Sequence, residues 1–263
     1  MHFDAFDRYH DTESFIHRLD PRVKVVVTVA FILSNALLPD GAWMAFVASW
    51  LFLLSLNTLS NLGITFTFKR SFVALPFALV AITVLFSIPG NSLTTFHFLF
   101  WDLTITDMGL LRFMSILVRS WLSVQMAILL VATARFPDVV HALEHLRVPT
   151  ILTTIIAFLY RYLFVLVDEV FRLLRARESR SAAEAGARSG GSVAWRARIA
   201  GNMAGQLFLR SYERSDRVYN AMLARGYAGH LLTINPHVMR RVDYITTALA
   251  LILILLLQLI GRL

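Results

Sequence analysis

The sequence contains no cysteine, and this absence excludes several kinds of chemistry. Without cysteine there is no disulfide framework, no thiol nucleophile and no thiolate ligand for a metal. A GxxxxGK[ST] motif is also absent, so the chain does not bind ATP through a P-loop. The HExxH motif that is typical of zinc peptidases is absent as well. The sequence therefore carries none of these catalytic signatures.

Charged residues are scarce: they make up 16% of the 263 residues, whereas hydrophobic residues make up 57%. With a mean hydropathy of +0.64, the chain is too apolar for one water-soluble core, and we predict an integral membrane protein. Its net charge is nevertheless +8. Positive charge beside such apolarity is typical of cytoplasmic loops, which retain Lys and Arg. Because the arginines flank apolar segments, nucleic-acid binding is disfavoured.

Five apolar segments are candidates to cross a bilayer, which takes about 20 helical residues, or fewer where the helix ends snorkel. They are residues 23–38, 42–62, 72–88, 113–134 and 244–260. We predict an all-α, polytopic membrane protein with about five transmembrane helices and a cytoplasmic or interfacial helical domain between the fourth span and the last.

The distribution of basic residues predicts the orientation. Arg18, Arg22 and Lys24 precede or begin the first span, whereas residues 87–111 contain no Lys or Arg. The positive-inside rule therefore predicts a cytoplasmic N-terminus and places residues 87–111 outside. The C-terminus is then also predicted to be outside.

Residues 151–170 are a sixth apolar segment whose crossing is open. A full crossing would move the arginine-rich residues 172–241 outside, against the charge bias. Arg161, near the middle of the segment, would cost at least about 2.5 to 3.5 kcal/mol in the bilayer centre. We therefore expect the segment to lie at the interface or inside the protein. The predicted organisation is an N-terminal cytoplasmic segment at 1–22, four spans at 23–134, the helical domain at 135–241 and the last span at 242–263.

Proline and glycine divide the helical domain. We predict helices at residues 138–146, from 150 to about 185, at 193–208 and at 209–225. Gly226 is expected to supply a left-handed C-cap, which leaves Arg225 at the carboxyl end of a helix. The GxxxG spacing of Gly201 and Gly205 would let another helix approach closely.

Polar residues within the apolar segments are expected to bind other helices. Arg119 lies deeper than Arg112 and needs a partner or a polar cavity, whereas Arg112 is expected to snorkel outward. Interhelical hydrogen bonds are expected for Asn35, Asn57, Gln125 and Gln258.

Two further pairs resemble chemical sites without completing one. His141 and His145 are four residues apart, but no third metal ligand is evident, so we predict no metal site. Asp168 and Glu169 point about 100° apart on a helix, which disfavours joint acid–base work. We expect charge pairing with Arg172 instead.

Several segments resemble the transmembrane coupling (T) component of energy-coupling factor (ECF) transporters. Residues 207–227 carry the strongest resemblance; residues 17–24 and 161–169 look like the opening and the first coupling helix of that family. With Phe136-Pro137-Asp138 and residues 146–149, the pattern is closest to the CbiQ branch, which serves cobalt import.

The resemblance implies two ATPase-coupling motifs of the Ala-Arg-Gly type at the ends of two coupling helices. The second carries over onto Ala224, Arg225 and Gly226. Its supporting apolar grip is expected from Tyr212, Tyr219, Met222 and Leu223.

The first motif departs from the family pattern at both flanking positions. The family register places it on Ser179, Arg180 and Ser181, and the tripeptide centred on Arg188 is an alternative.

The implied function is that of a membrane coupling subunit in an ATP-driven importer for cobalt or nickel ions. The implied partners are a dimer of ABC-type ATPase subunits, a metal-specific substrate-binding membrane subunit and, in some complexes, a small accessory membrane subunit. The chain itself is expected to have no catalytic residue and no cofactor, since ATP and Mg bind to the ATPase subunits. The expected location is the bacterial inner membrane, with the coupling domain in the cytoplasm.

Other functions remain open from the sequence. A T component serving a vitamin would carry the same coupling motifs. A membrane-embedded enzyme acting on lipid substrates should show a metal-binding acidic cluster, and the predicted spans contain none. A free-standing secondary carrier should show inverted repeats, which the sequence does not display.

Overall fold

The computed structural model describes residues 9–10, 12–89, 91–98, 101–180, 192–229 and 238–262. Within this part of the chain, nine α-helices account for almost all regular structure, and the predicted helical fold is confirmed. The helices are α1 (Pro21–Ala36), α2 (Trp43–Leu59), α3 (Ile64–Ser71), α4 (Leu75–Ser87), α5 (Asp107–Thr133), α6 (Phe136–His145), α7 (Thr150–Arg180), α8 (Val193–Ala224) and α9 (Arg241–Ile260).

One hairpin interrupts the helical pattern. Strands β1 (Ser92–Phe98) and β2 (Trp101–Thr106) pair antiparallel within residues 87–111, which are predicted to lie outside the membrane. Thr94 pairs with Ile105 and Thr95 with Thr104. Threonine and aromatic residues favour strands, which accounts for a hairpin here.

Helices α1, α2, α5 and α9 form the core of a bundle. The first begins where the Asp20 side chain accepts a hydrogen bond from the backbone N–H of Arg22 at 2.9 Å. Phe31, Leu53 and Leu122, from α1, α2 and α5, are at most 2% exposed. Because α1 packs against both α5 and α9, the first and last helices of the bundle are neighbours.

The third predicted span is broken. A 3-10 turn (Phe72–Ala74) separates α3 from α4, and the Thr65–Ala74 and Leu79–Ser87 segments are bent by 58°. Pro76, in the first turn of α4, cannot donate a backbone hydrogen bond to the preceding turn. Thus α4 is a helix of only 13 residues.

Arg119 has the partner that its depth requires. Its Nη2 donates to Asp40 Oδ1 at 2.7 Å, across from α5 to the turn after α1. Arg112 lies 3.5 Å from the other carboxylate oxygen of Asp40, and 56% of its side chain is exposed. The expected anchoring of Arg119 is therefore confirmed, whereas the outward snorkelling of Arg112 remains a prediction.

Other polar side chains join helices inside the bundle. Asn35 Nδ2 donates to Ser123 Oγ at 3.0 Å and so links α1 to α5. The remaining interhelical contacts are Thr67 Oγ1 to Asn57 Oδ1 at 3.0 Å and Ser34 Oγ to Gln258 Oε1 at 3.1 Å. The interhelical role predicted for Asn35, Asn57 and Gln258 is confirmed, whereas Gln125 is buried within α5.

The chain divides into two compact units, residues 2–146 with 236–263 and residues 147–235. We call the first the bundle unit and the second, which contains α7 and α8, the hairpin unit. Helix α6 packs against α1 and so belongs to the bundle unit, although the sequence analysis grouped it with the coupling helices.

By length and composition, three helices of the described chain can cross a membrane: α5, α7 and α9. The bent segments around α3 and α4 would make a fourth span if they cross as one. The predicted number of five spans and the interfacial position of residues 151–170 remain predictions.

The prediction of two helices at 193–208 and 209–225 is wrong. Helix α8 runs without a break for 32 residues, from Val193 to Ala224. Residues 206–210 contain neither glycine nor proline, and Gln, Leu and Arg are good helix formers, so nothing local ends the helix there. Ser192 accepts from the backbone N–H of Trp195 at 3.3 Å and caps its start.

Candidate functional site

The end of α8 has the hydrogen bonds of a Schellman motif. The backbone N–H of Tyr227 donates to Met222 O, and that of Gly226 donates to Leu223 O, both at 3.0 Å. Gly226 has a φ of +81°, in the left-handed region that glycine adopts without strain. The predicted left-handed C-cap is therefore confirmed.

The cap holds Arg225 at the end of α8 with its side chain exposed. Within the described residues, its guanidinium forms no ion pair. A cation at a helix carboxyl end is favoured by the helix dipole, and a guanidinium can bind a carboxylate through two hydrogen bonds. Arg225 is therefore placed to bind a partner.

The first predicted motif begins at the last turn of α7. Ser179 donates to the carbonyl of Ala176 at 3.0 Å, and Arg180 is the last residue of the helix, with an exposed side chain. Ser181 and Arg188 lie outside the described residues. The structure therefore places Arg180 at the carboxyl end of α7.

Helices α7 and α8 are connected by an ion pair and an apolar groove. Arg210 donates from Nη1 to the carboxylate of Glu169. The same carboxylate also pairs with Arg172, whose Nη1 lies 3.6 Å from Oε2. Only 11% of the Glu169 side chain is exposed, whereas Asp168 is exposed. The predicted charge pairing with Arg172 is confirmed.

The groove between these helices is a cavity of about 520 Å³. Thr154 and Phe158 line it from α7, and Val218 and Met222 line it from α8, together with Tyr227 after the cap. Because Thr154 and Tyr227 share this groove, Arg225 lies near the start of α7. Arg180 lies 26 residues farther along α7, about 40 Å away at a rise of 1.5 Å per residue. The two arginines therefore occupy opposite ends of the hairpin unit.

The predicted apolar grip divides between two faces of α8. Tyr212 is 60% exposed, Tyr219 56% and Leu223 48%, whereas Met222 is partly buried in the groove with α7. Tyr219 also borders that groove. The exposed residues are thus available to a partner, and Met222 holds the hairpin together.

The exposed apolar face has one member that the predicted apolar grip did not include. Phe208 is 68% exposed, and the positions 208, 212, 219 and 223 recur at helical intervals of four, seven and four. This periodicity was visible in the sequence only if α8 was taken as one helix. Gly201 and Gly205 extend the same face, and a Cβ at either position would have no neighbour within 4 Å. We call this surface the outer face of α8.

The histidine pair of α6 has a simple geometry. The rings of His141 and His145 lie edge to face, with centroids 4.6 Å apart. Across the described part of the chain, no three His, Cys, Asp or Glu residues cluster as metal ligands would.

Comparison with known proteins agrees with the resemblance. The family model of CbiQ, described as a cobalt transport protein, matches residues 12–234. An uncharacterized protein of Methanocaldococcus jannaschii is 28% identical over 98% of this chain and 86% of its own length. The energy-coupling factor transporter transmembrane protein EcfT of Lacticaseibacillus paracasei is 28% identical over 84% of each chain. EcfT of Leuconostoc gelidum is 26% identical over 84% of this chain and 82% of its own.

Proposed function

Because the chain belongs to the CbiQ family of cobalt transport proteins, we propose that it couples an ATPase dimer to a metal-binding membrane subunit. It is a multi-pass membrane protein and the transmembrane component of an ECF transporter, which works with ATPase and substrate-binding subunits. The proposed cargo is cobalt or nickel, and the proposed location is the bacterial inner membrane. The chain performs no chemistry and binds no cofactor, since ATP and Mg belong to the ATPase subunits.

The observation that carries the proposal is the position of the two arginines. Arg180 and Arg225 are exposed at opposite ends of one hairpin, about 40 Å apart by helix rise. Two anchors so far apart suit two separate subunits. When ATP binding changes the distance between those subunits, the anchored helices move with them and transmit the change.

The arginines alone do not supply enough binding free energy to keep the helices attached to moving ATPase subunits. An exposed ion pair contributes about 0 to 1 kcal/mol, so most of the binding free energy must come from apolar contact. The outer face of α8 offers Phe208, Tyr212 and Leu223 for this purpose, and Leu223 lies two residues before Arg225. Aromatic residues and arginine are the residue types enriched in the energetic centres of interfaces.

Charge reversal at each arginine tests the coupling. The variants Arg225→Glu and Arg180→Glu should reduce copurified ATPase subunits at least about tenfold. Repulsion between the new glutamate and a carboxylate of the partner costs more binding free energy than loss of the ion pair alone. ATP-driven metal uptake should fall in parallel, while the substrate-binding subunit still binds its ion. Arg217→Glu is the matched control, because Arg217 is also exposed on α8 but lies outside both motifs.

Uptake and ATPase capture that survive Arg225→Glu as well as they survive Arg217→Glu would overturn the proposal. Comparing Arg180→Glu with Arg188→Glu then locates the first motif. The variant that loses the ATPase subunits identifies the arginine in use.

The cargo is tested separately. The whole complex, purified from its native membrane, should contain a second membrane subunit and bind Co²⁺ or Ni²⁺ in metal analysis. A bound vitamin in place of a metal would contradict the metal assignment and leave the coupling function intact.

A further inference from the structure

A polar cavity of about 510 Å³ lies at the end of the bundle unit where α1 and α9 begin and α5 ends. Both signs of charge line it. The cations are Arg18, Lys24, Arg135 and Arg240. The carboxylates are Asp20, Asp138 and Asp243.

An apolar cavity of about 200 Å³ adjoins the polar one. It lies among α1, α2, α5 and α9, and it shares Leu19, Lys24 and Thr133 with the polar cavity. Along α9 it reaches Leu253, ten residues beyond Asp243, which is a depth of about 15 Å by helix rise. That depth is half of a hydrocarbon core about 30 Å thick, the reach of one lipid leaflet.

The apolar cavity is open toward the surroundings of the helices. Leu249 and Leu253, which line it, are 59% and 39% exposed. A chain lying in the bilayer can therefore enter from the side. The polar cavity lies at the level where the helices begin and end, which is where lipid headgroups lie.

We propose that the two cavities together bind one phospholipid with a primary ammonium headgroup, phosphatidylethanolamine. One acyl chain occupies the apolar cavity, and the headgroup occupies the polar cavity. Arg135 and Arg240, both exposed at the cavity, face the phosphate, and a carboxylate accepts from the ammonium.

Two buried side chains favour a ligand that both donates and accepts hydrogen bonds. Lys24 is 9% exposed and uses its Nζ to donate to His17 O at 3.1 Å and Thr133 O at 2.8 Å, two of its three possible bonds. Asp20 Oδ2 is buried and accepts no hydrogen bond from the described residues. Buried carboxylate oxygens normally have a donor.

The mixed charge selects among headgroups. An anionic headgroup could pair with the cations of the cavity, but it carries no ammonium to donate to Asp20 Oδ2. Phosphatidylcholine has the same net charge as phosphatidylethanolamine, but its ammonium has no N–H to donate. Phosphatidylethanolamine matches both signs and has donors, so it is the preferred occupant.

Native mass spectrometry of the delipidated full-length chain tests the site. Equal amounts of dioleoyl phosphatidylethanolamine, phosphatidylcholine and phosphatidylglycerol are offered, together with an excess of water-soluble glycerophosphoethanolamine in a separate arm. We expect one phosphatidylethanolamine per chain, bound about tenfold more than phosphatidylcholine, a ratio that corresponds to one charge-assisted hydrogen bond. Equal binding of the three lipids, or full competition by the free headgroup, would overturn the proposal.

Variants separate the headgroup from the chain. Arg240→Gln keeps the backbone N–H that donates to Asp243 at 2.8 Å and should lower lipid binding, whereas Arg241→Gln, its exposed neighbour outside the cavity, should not. Asp20→Asn keeps the Oδ1 that caps α1 and should remove the preference over phosphatidylcholine, with Glu144→Gln, a carboxylate outside the cavity, as its control. Ala250→Phe fills the apolar cavity and should release the lipid. Unchanged binding and selectivity in Arg240→Gln, Asp20→Asn and Ala250→Phe would refute the site.

Discussion

Arg119 is a cation that the bundle accommodates through one carboxylate. Its side chain is 20% exposed and that of Asp40 is 33% exposed. Asp40→Asn should destabilise the protein by about 1 to 2 kcal/mol, less than a fully buried pair would, because solvent screens part of the interaction. Thermal unfolding in detergent measures the change. Arg112→Gln should have an effect below about 0.5 kcal/mol, and equal effects would contradict this ranking.

A Cβ at Gly226 would have no neighbour within 4 Å, so lack of space does not explain the glycine. Its left-handed backbone conformation does. Gly226→Ala forces a φ of +81° on a residue with a Cβ, at a cost of about 1 to 2 kcal/mol. The end of α8 should therefore fray, and the amides of residues 226–227 should exchange hydrogen faster. Gly226→Asn should exchange less than Gly226→Ala, because asparagine tolerates this conformation. Identical exchange in the wild type and both variants would contradict the prediction.

The polar partners were largely predictable residue by residue. A deep arginine or an asparagine in an apolar helix requires a hydrogen bond, so Arg119 and Asn35 were expected to have partners. Arg119 binds Asp40 in the turn after α1, and Asn35 binds Ser123 in α5. The polar cavity was not predictable. Lys24, Asp138 and Asp243 come from three distant segments, and no sequence spacing brings them together.

Among the elements, α8 contains two glycines that no neighbouring atom explains. Gly201→Ala and Gly205→Ala should each strengthen the isolated helix by up to about 1 kcal/mol, because alanine is the better helix former. Hydrogen exchange of residues 199–207 should slow in the purified chain. If the outer face of α8 binds the ATPase subunits, the added methyl groups should also weaken their copurification.

Asn202→Ala provides the matched control for these glycines. It improves helix propensity beside Gly201, but its side chain points about 100° away from that residue. It should slow exchange without weakening capture. Equal loss of capture in all three variants would contradict a role for the glycine face.

The elements themselves were predictable to different degrees. Apolar length located the bundle helices, because about 20 apolar residues are a strong signal. We predicted a boundary between Phe208 and Leu209, but no helix-breaking residue stands there, and α8 continues through both. The hairpin was also missed, although its threonines and aromatic residues favour strands. The packing of α6 on α1 depends on tertiary contacts that no local pattern shows.

For the whole molecule, the absence of cysteine makes the orientation testable. Single cysteines at Asn91, His145 and Ser179, all exposed positions, can be labelled from either side of intact cells. We expect labelling of position 91 from outside and of positions 145 and 179 only from the cytoplasm. Labelling of 145 and 179 from opposite sides would show that α7 crosses the membrane and that the predicted cytoplasmic domain is wrong.

The ion pair between Glu169 and Arg210 has a consequence for natural variation in length. It fixes the register of α7 against α8 between the two terminal arginines. One residue inserted between Glu169 and Arg180 would turn that arginine by about 100° and advance it by about 1.5 Å. Homologous chains should therefore vary freely in loop length while keeping the number of residues from this pair to each end of the hairpin.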